Sequence, residues 1–315
     1  MRANSDDSNT SHSFIFMLPA PLQPGDEIRI VSPSGKIDPA YIDGAKKVLS
    51  GWGYNATEGQ FARSEYGRFG GTKEQRIDDL QKAFDDPNVK AVLCSRGGYG
   101  VAQIIDKIDF TSFCNRPKWL IGFSDITILH NAITQKGIAS VHAIMAKHLT
   151  ELDGNYEPVS RLKSLLEGNL PEYSIKSVAD NRNGTATGKI IGGNLSVLAG
   201  MVGTAFDLPY EGNILFIEEI DERPYHIDRM MHNMRLSGAL DKINGLVVGQ
   251  FSDCDEDPQM MQSIREIILE AVKDANYPVC FDFPSGHVDY NLPLILGAES
   301  TLTVNSQTSE LSIRK

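Results

Sequence analysis

Lys118-Trp119-Leu120-Ile121-Gly122-Phe123-Ser124-Asp125-Ile126-Thr127 is the stretch from which the fold can be read. An apolar strand ends at Gly122-Phe123, Ser124 takes the turn, and a helical segment opens with Asp125-Ile126-Thr127. Strand–turn–helix joints of this kind build α/β folds. A serine held at so sharp a turn has the geometry of a nucleophile elbow, with its hydroxyl raised above the sheet. The helix start beyond it offers backbone N–H groups and a positive dipole end to a developing oxyanion. The usual G-x-S-x-G pattern is not met, because Ile126 stands where the second glycine would be. By itself the segment fits a plain helix N-cap at Ser124 as well as a nucleophile.

Upstream, Val89-Lys90-Ala91-Val92-Leu93-Cys94 is an apolar strand of the kind buried in a parallel sheet. It runs into Ser95-Arg96-Gly97-Gly98-Tyr99-Gly100, where three glycines in four positions permit a tight turn or a close backbone approach to a ligand. In open α/β sheets, ligands bind outside such strand ends. An N–H of Gly97 or Gly98 can therefore pair with that of Asp125 as an oxyanion hole. No Gly-Lys-Ser/Thr follows, so this is not a phosphate loop of the Walker type. Pro24-Gly25-Asp26 is a turn before a first strand, Glu27-Ile28-Arg29-Ile30-Val31, which Ser32-Pro33-Ser34-Gly35 breaks. Helical spacing marks 41–52, 73–84 and 100–108. Strand and helix alternate, and the first half reads as a doubly wound α/β domain.

Residues 165–186 are poorly periodic and read as a linker or domain edge. Beyond them, strands are expected at 214–217, 245–249 and 302–304 and a helix over 258–274, a mixed α/β pattern. The resulting division is a tail over 1–18, a nucleophile domain over 19–165, a linker over 166–186 and a C-terminal domain over 187–315. With 315 residues the chain is long enough for two cores. A net charge of −11 argues against nucleic-acid partners, which need clustered Lys and Arg. Cys94, Cys114, Cys254 and Cys280 form no CxxC pair and read as small buried hydrophobes in a reducing compartment. No apolar run is long enough to span a bilayer, and the apolar patch at 13–18 lacks a basic flank. A cytoplasmic protein without membrane partners is the expectation. The oligomeric state is left open, a homodimer included.

A serine nucleophile needs a base and a third group to orient it. Among seven histidines, His287 lies in Phe283-Pro284-Ser285-Gly286-His287, a loop after the strand-like Val279-Cys280-Phe281-Asp282. Catalytic residues are common in loops at strand ends. Leu215-Phe216-Ile217-Glu218-Glu219 ends an apolar strand in two acids, and strand alternation sends them to opposite faces. Only one of the two can face a shared site.

Together these segments resemble the LD-carboxypeptidase family, serine peptidases that include muramoyltetrapeptide carboxypeptidases and microcin-immunity peptidases. The resemblance runs from about Pro19 to Gly297. It is carried by Leu22-Gln23-Pro24-Gly25-Asp26 and Val31-Ser32-Pro33-Ser34-Gly35, then Ser95-Arg96-Gly97-Gly98-Tyr99-Gly100 and Gly122-Phe123-Ser124-Asp125-Ile126-Thr127. Gly192-Gly193-Asn194-Leu195 and Glu218-Glu219 with Pro224-Tyr225-His226-Ile227-Asp228-Arg229 complete it, all in the family's order. The chain departs from the family at Val141-His142-Ala143-Ile144-Met145, where His-Gly-Pro is common, and at Glu219, where Asp or Thr is usual.

The resemblance implies a flavodoxin-like N-terminal domain and a smaller, β-rich α/β C-terminal domain, with the active site in the cleft between them. It implies a Ser124–His287–Glu218 triad, with Glu218 favoured over Glu219, and an oxyanion hole from Asp125 and Gly97 or Gly98. It also implies hydrolysis between an L-centre and a terminal D-amino acid, with murein tetrapeptides losing D-alanine as the expected substrates. Arg96 and Arg229 are candidates to hold a substrate carboxylate, and neither a metal nor a cofactor is called for. Two alternatives stand beside this reading: an immunity-type peptidase acting on a peptidyl-nucleotide antibiotic, and a non-catalytic two-lobed binding protein.

Overall fold

A computed structural model describes residues 17–314. Thirteen strands follow in chain order among them: β1 Glu27–Val31, β2 Asn55–Glu58, β3 Val89–Cys94, β4 Trp119–Gly122, β5 Ser140–His142, β6 Glu172–Lys176, β7 Gly184–Asn194, β8 Ile214–Ile220, β9 Gly245–Ser252, β10 Val279–Cys280, β11 Leu294–Leu296, β12 Glu299–Val304 and β13 Thr308–Ile313. They form two sheets, one of six strands and one of seven.

The first sheet runs β2-β1-β3-β4-β5-β11. Its first five strands are parallel and in the order of a flavodoxin-like doubly wound fold, as expected. Central strands covered on both faces must be apolar throughout, and β4 is buried at every position. The helix Pro39–Gly51 starts where Asp38 accepts the Ala40 N–H and buries Ile42, Ala45 and Leu49. The helix Lys73–Asp85 starts with a reciprocal capping box between Thr72 and Gln75. The sixth strand, β11, joins antiparallel to β5 although it comes from the far end of the chain.

The second sheet runs β10-β9-β8-β7-β12-β13-β6. Parallel pairing holds from β10 to β7, and antiparallel pairing from β7 to β6. A glycine in β7 lets the second sheet meet the first half of the chain. A methyl group at Gly193 would stand 2.5 Å from Thr127 Oγ1 on the helix behind Ser124, and the neighbouring Gly192 is also at positive φ. Asn194 then donates its backbone N–H to that same hydroxyl (3.1 Å) and caps the helix Leu195–Met201.

Some expectations change. The stretch read as a linker contains β6, whose residues register with β13 as an edge strand, and its end enters β7. β6 alternates exposed Glu172, Ser174 and Lys176 with buried Tyr173 and half-buried Ile175, but the alternation is only five residues long and is flanked by turn-forming residues, so it is easily passed over in the sequence. The helix expected over 100–108 is two short 3₁₀ turns, because the Gly100 carbonyl and Val101 N–H are bonded to Arg76 and Asp125. The helix expected over 258–274 begins only at Ile264, where Ser263 caps it after Met261 adopts a left-handed conformation. Of the tail read over 1–18, residues 1–16 lie outside the described residues, while Met17 is bonded on both sides of its peptide to Gly137 and Ala139. Among the described residues no helix is long and apolar enough to cross a membrane.

Candidate active site

Strand β4 delivers Ser124 at φ 68°, a left-handed conformation that costs a non-glycine residue about 1–3 kcal/mol. Neighbouring structure sustains this strain. His130 sits beneath the turn, with Nε2 2.9 Å from the Gly122 carbonyl and Nδ1 2.8 Å from Ser140 Oγ. Gly97 packs directly on the serine, since a methyl there would stand 2.6 Å from Ser124 Cβ and 2.8 Å from Oγ. Gly98 follows at φ 111°, which only glycine adopts readily.

The Asp125 side chain has a role that the sequence reading missed. It is buried, and its Oδ2 accepts the Ser34 hydroxyl (2.6 Å) and the Val101 N–H (2.9 Å). Burial raises its pKa against the lowering effect of those bonds. Arg76, also missed, is fully buried and donates to the carbonyls of Pro33 (3.0 Å) and Gly100 (2.8 Å). Asp125 and Arg76 thereby tie the loops after β1 and β3 to the turn at Ser124. In sequence both look like ordinary surface charges; their burial arises only from tertiary packing.

The acid and base candidates come from the second sheet. Glu218, in β8, is fully buried, and its Oε2 lies 2.7 Å from His287 Nδ1. With Nδ1–H donating to the carboxylate, Nε2 is left with its lone pair. Burial pulls the imidazole pKa down, but the hydrogen bond and charge of Glu218, joined by Glu219, outweigh it and hold it above 6.5. Glycines make room here as well: a Cβ at Gly249 or Gly286 would stand 3.2 Å from Glu218 Cβ. Ser252 Oγ donates to the His287 carbonyl (2.9 Å), and Asn291 Oδ1 accepts the Gly286 N–H (3.1 Å), pinning the loop. The Phe123 ring packs on the His287 ring at 4.8 Å.

Glu219 points to the other face, as strand alternation requires. It accepts from Asn194 Nδ2 (2.8 Å), the Ser196 N–H (2.7 Å) and its neighbour Ile220 N–H (2.9 Å). Burial pushes its pKa up to about 7, with the Glu218 charge adding to that rise against these bonds. It braces β8 against the helix after β7 and makes no bond to His287.

The other described histidines have different surroundings. His142 is buried between the rings of Phe123 and Phe216, its nitrogens without partners and its pKa driven well down by burial. Burial lowers His130 and His148 to about 4. His226 and His232 pair with Glu222 and Asp228 on the helix Pro224–Leu236.

A cavity of about 620 Å³ gathers Ser124, His287, Gly97, Gly98 and Arg96 on one wall system. It opens beyond the carboxyl ends of β1 and β3, the switch point at which doubly wound sheets bind ligands. Arg96 is exposed and donates to the Lys36 carbonyl (3.1 Å). Arg229 is not in this lining; it lies exposed on the helix Pro224–Leu236, its guanidinium 5.8 Å from the Tyr225 ring centroid. Position by position it matched a motif, but its turn of the helix faces outward. Among the described residues no group of three or more His, Cys, Asp or Glu could hold a metal ion.

The family model of the LD-carboxypeptidase N-terminal domain matches residues 28–143, and that of the LD-carboxypeptidase C-terminal domain matches residues 187–302. A probable murein peptide carboxypeptidase of Bacillus subtilis is 32% identical, covering 92% of this chain and 93% of that protein. The murein tetrapeptide carboxypeptidase of Pseudomonas aeruginosa is 30% identical, covering 88% and 93% respectively. The crystal structure of a muramoyltetrapeptide carboxypeptidase from Oxalobacter formigenes superposes with a TM-score of 0.83 at 28% identity, over 92% of this chain and 99% of that one.

Proposed function

We propose, from the premise that the chain belongs to the LD-carboxypeptidase family and is a serine-type LD-carboxypeptidase, that Ser124, His287 and Glu218 carry its reaction on murein tetrapeptides. The observation that carries this reading is the pairing of a strained serine with a carboxylate-bound imidazole on one cavity. Ser124 Oγ attacks the carbonyl of the L-centre while His287 Nε2 takes its proton. Glu218 holds the ring in the needed tautomer and stabilises the imidazolium without itself taking the proton. The N–H groups of Asp125 and of Gly97 or Gly98 receive the oxyanion, each donor being worth about 2.7–4 kcal/mol in comparable sites. His287 then returns the proton to the departing amine, D-alanine leaves, and a water repeats the sequence on the acyl-enzyme. Arg96 receives the free carboxylate of the D-residue, since a guanidinium binds carboxylates through paired N–H donors. The setting is the cytoplasm, where murein peptides are recycled.

Release of D-alanine from a purified murein tetrapeptide, compared between wild type and Ser124→Ala, tests the proposal. The variant is expected to lose a factor on the order of 10⁴–10⁶ in kcat. Retention of activity by the variant removes Ser124 as nucleophile, and no release by wild type removes the substrate.

A further inference from the structure

One buried histidine takes no part in the proposed reaction or in the hydrogen bonding of the fold. His142 ends β5, where its backbone registers with Gly122 of β4 and Leu294 of β11. Its side chain is fully buried, and neither ring nitrogen has a hydrogen-bond partner among the described residues. Burial drives its pKa well down, so the ring is neutral, one nitrogen a donor and the other an acceptor. An apolar side chain at such a position avoids the cost of desolvation, and an imidazole kept there calls for a partner.

A second unmet group lies close by. Glu218 is also fully buried, and His287 takes only its Oε2; Oε1 has no partner among the described residues. Aromatic rings connect the two. The His142 ring meets the Phe216 ring edge-on at 5.0 Å, and Phe216 stands two residues before Glu218, on the same face of β8. A Cβ at Gly249 would touch both, 2.8 Å from Phe216 Cε2 and 3.2 Å from Glu218 Cβ. On its other side His142 meets Phe123 at 5.5 Å, the ring that also packs on His287 at 4.8 Å.

We infer that His142 is a positioning residue: its imidazole holds a buried water against Glu218 Oε1, which fixes the carboxylate so that Oε2 stays on His287 Nδ1. The inference rests on the reading of Ser124, His287 and Glu218 as the reacting groups. Internal waters bond to buried polar groups that are otherwise unmet, and an imidazole and a carboxylate oxygen are two such groups. The water accepts the His142 N–H and donates one hydrogen to Oε1. A bond donated to a carboxylate favours its ionised form, the form that orients the imidazole of a triad.

The test compares His142→Leu, which fills the slot but cannot hold a water, with His142→Gln, which keeps a donor and an acceptor. His142→Leu is expected to keep a Tm no lower than wild type and yet to lose about 10- to 100-fold in kcat at unchanged KM. That loss is the worth of one hydrogen bond to a charged group. His142→Gln should recover most of it. Wild-type kcat in His142→Leu, or equal losses in the two variants, overturns the inference. The proton NMR resonance of His287 Nδ1–H needs no turnover and separates this from failure of the proposed activity. It should shift in His142→Leu and return towards its wild-type position in His142→Gln. A resonance unmoved in His142→Leu, or moved alike in both variants, overturns the inference even if wild type cleaves no tetrapeptide. Should His142→Leu not fold, a crystal structure of the wild type decides. An ordered water within hydrogen-bonding distance of Glu218 Oε1 and of a His142 nitrogen supports the inference, and no water there overturns it.

Discussion

The ends of β4 and β8 face the same chemistry with different means. At β4 the chain works through backbone: a serine at φ 68° with Gly97 packed against it and Gly98 at positive φ beside it. At β8 it works through buried charge, with two adjacent carboxylates sent to opposite faces of the strand. The first region depends on space and conformation. The second depends on which buried group stays ionised, since a carboxylate without water is held in that state only by its partners. The two regions should therefore fail differently when altered.

Apart from removal of the Ser124 hydroxyl itself, the largest effect should come at the charged end. Glu218→Gln keeps the shape but removes the ion that fixes the imidazole, and kcat should fall by a factor on the order of 10³–10⁴. The same variant tests the sign of the coupling. His287 is raised above 6.5, and the neutral imidazole is the base. Wild-type kcat/KM should therefore climb with pH through a midpoint above that value. Without the Glu218 charge the midpoint should move to lower pH, as a full pH–rate profile would reveal; an unmoved midpoint would detach Glu218 from His287.

A smaller loss is expected at the backbone end. Gly97→Ala forces a methyl to within 2.6 Å of Ser124 Cβ, so the serine or the loop must shift. Misplacement of this size should cost about 10²-fold in kcat, with the Tm nearly unchanged. A loss of Tm as large as that of a core cavity would mean that the glycine serves folding and not the site.

The smallest catalytic effect should be at Glu219, where the comparison is sharpest because Glu218 is its neighbour. Its folded pKa of about 7 lies above the ordinary 4.5. A raised carboxyl contributes stability that is present below pH 4.5 and lost as pH rises towards 7. Relative to Glu219→Gln, wild type should lose on the order of 3 kcal/mol across that window, while kcat changes by less than about tenfold. Denaturant unfolding at both ends of the window measures it. A flat difference would show that the carboxylate is already ionised throughout.

Much of the first region was legible locally. β1 and β3 read correctly from their apolar runs, and the turn at Ser124 followed from an apolar strand meeting a helix start. Only the ordered motifs turned a possible helix cap into a candidate nucleophile. Less of the second region could be read. β11 is three residues long and gains its meaning from pairing with β5, a partner some 150 positions away in sequence. Likewise Arg76 is an unremarkable helix residue until the loops after β1 and β3 close over it. Arg229 shows the converse, since a motif position does not record the helix face on which a residue lies, here one outside the lining of the cavity.

The sequence by itself determined the α/β class, the elbow at Ser124, the glycines beside it and the family. These depend on local backbone preference and on short motifs, which a linear pattern records. Tertiary structure decided which of two adjacent acids meets His287, which arginines are buried, and which charged side chains line the cavity. Those outcomes depend on burial and on partners brought together from distant segments, so the same residue type becomes a buried partner of a histidine, a brace between elements or an exposed charge according to what surrounds it.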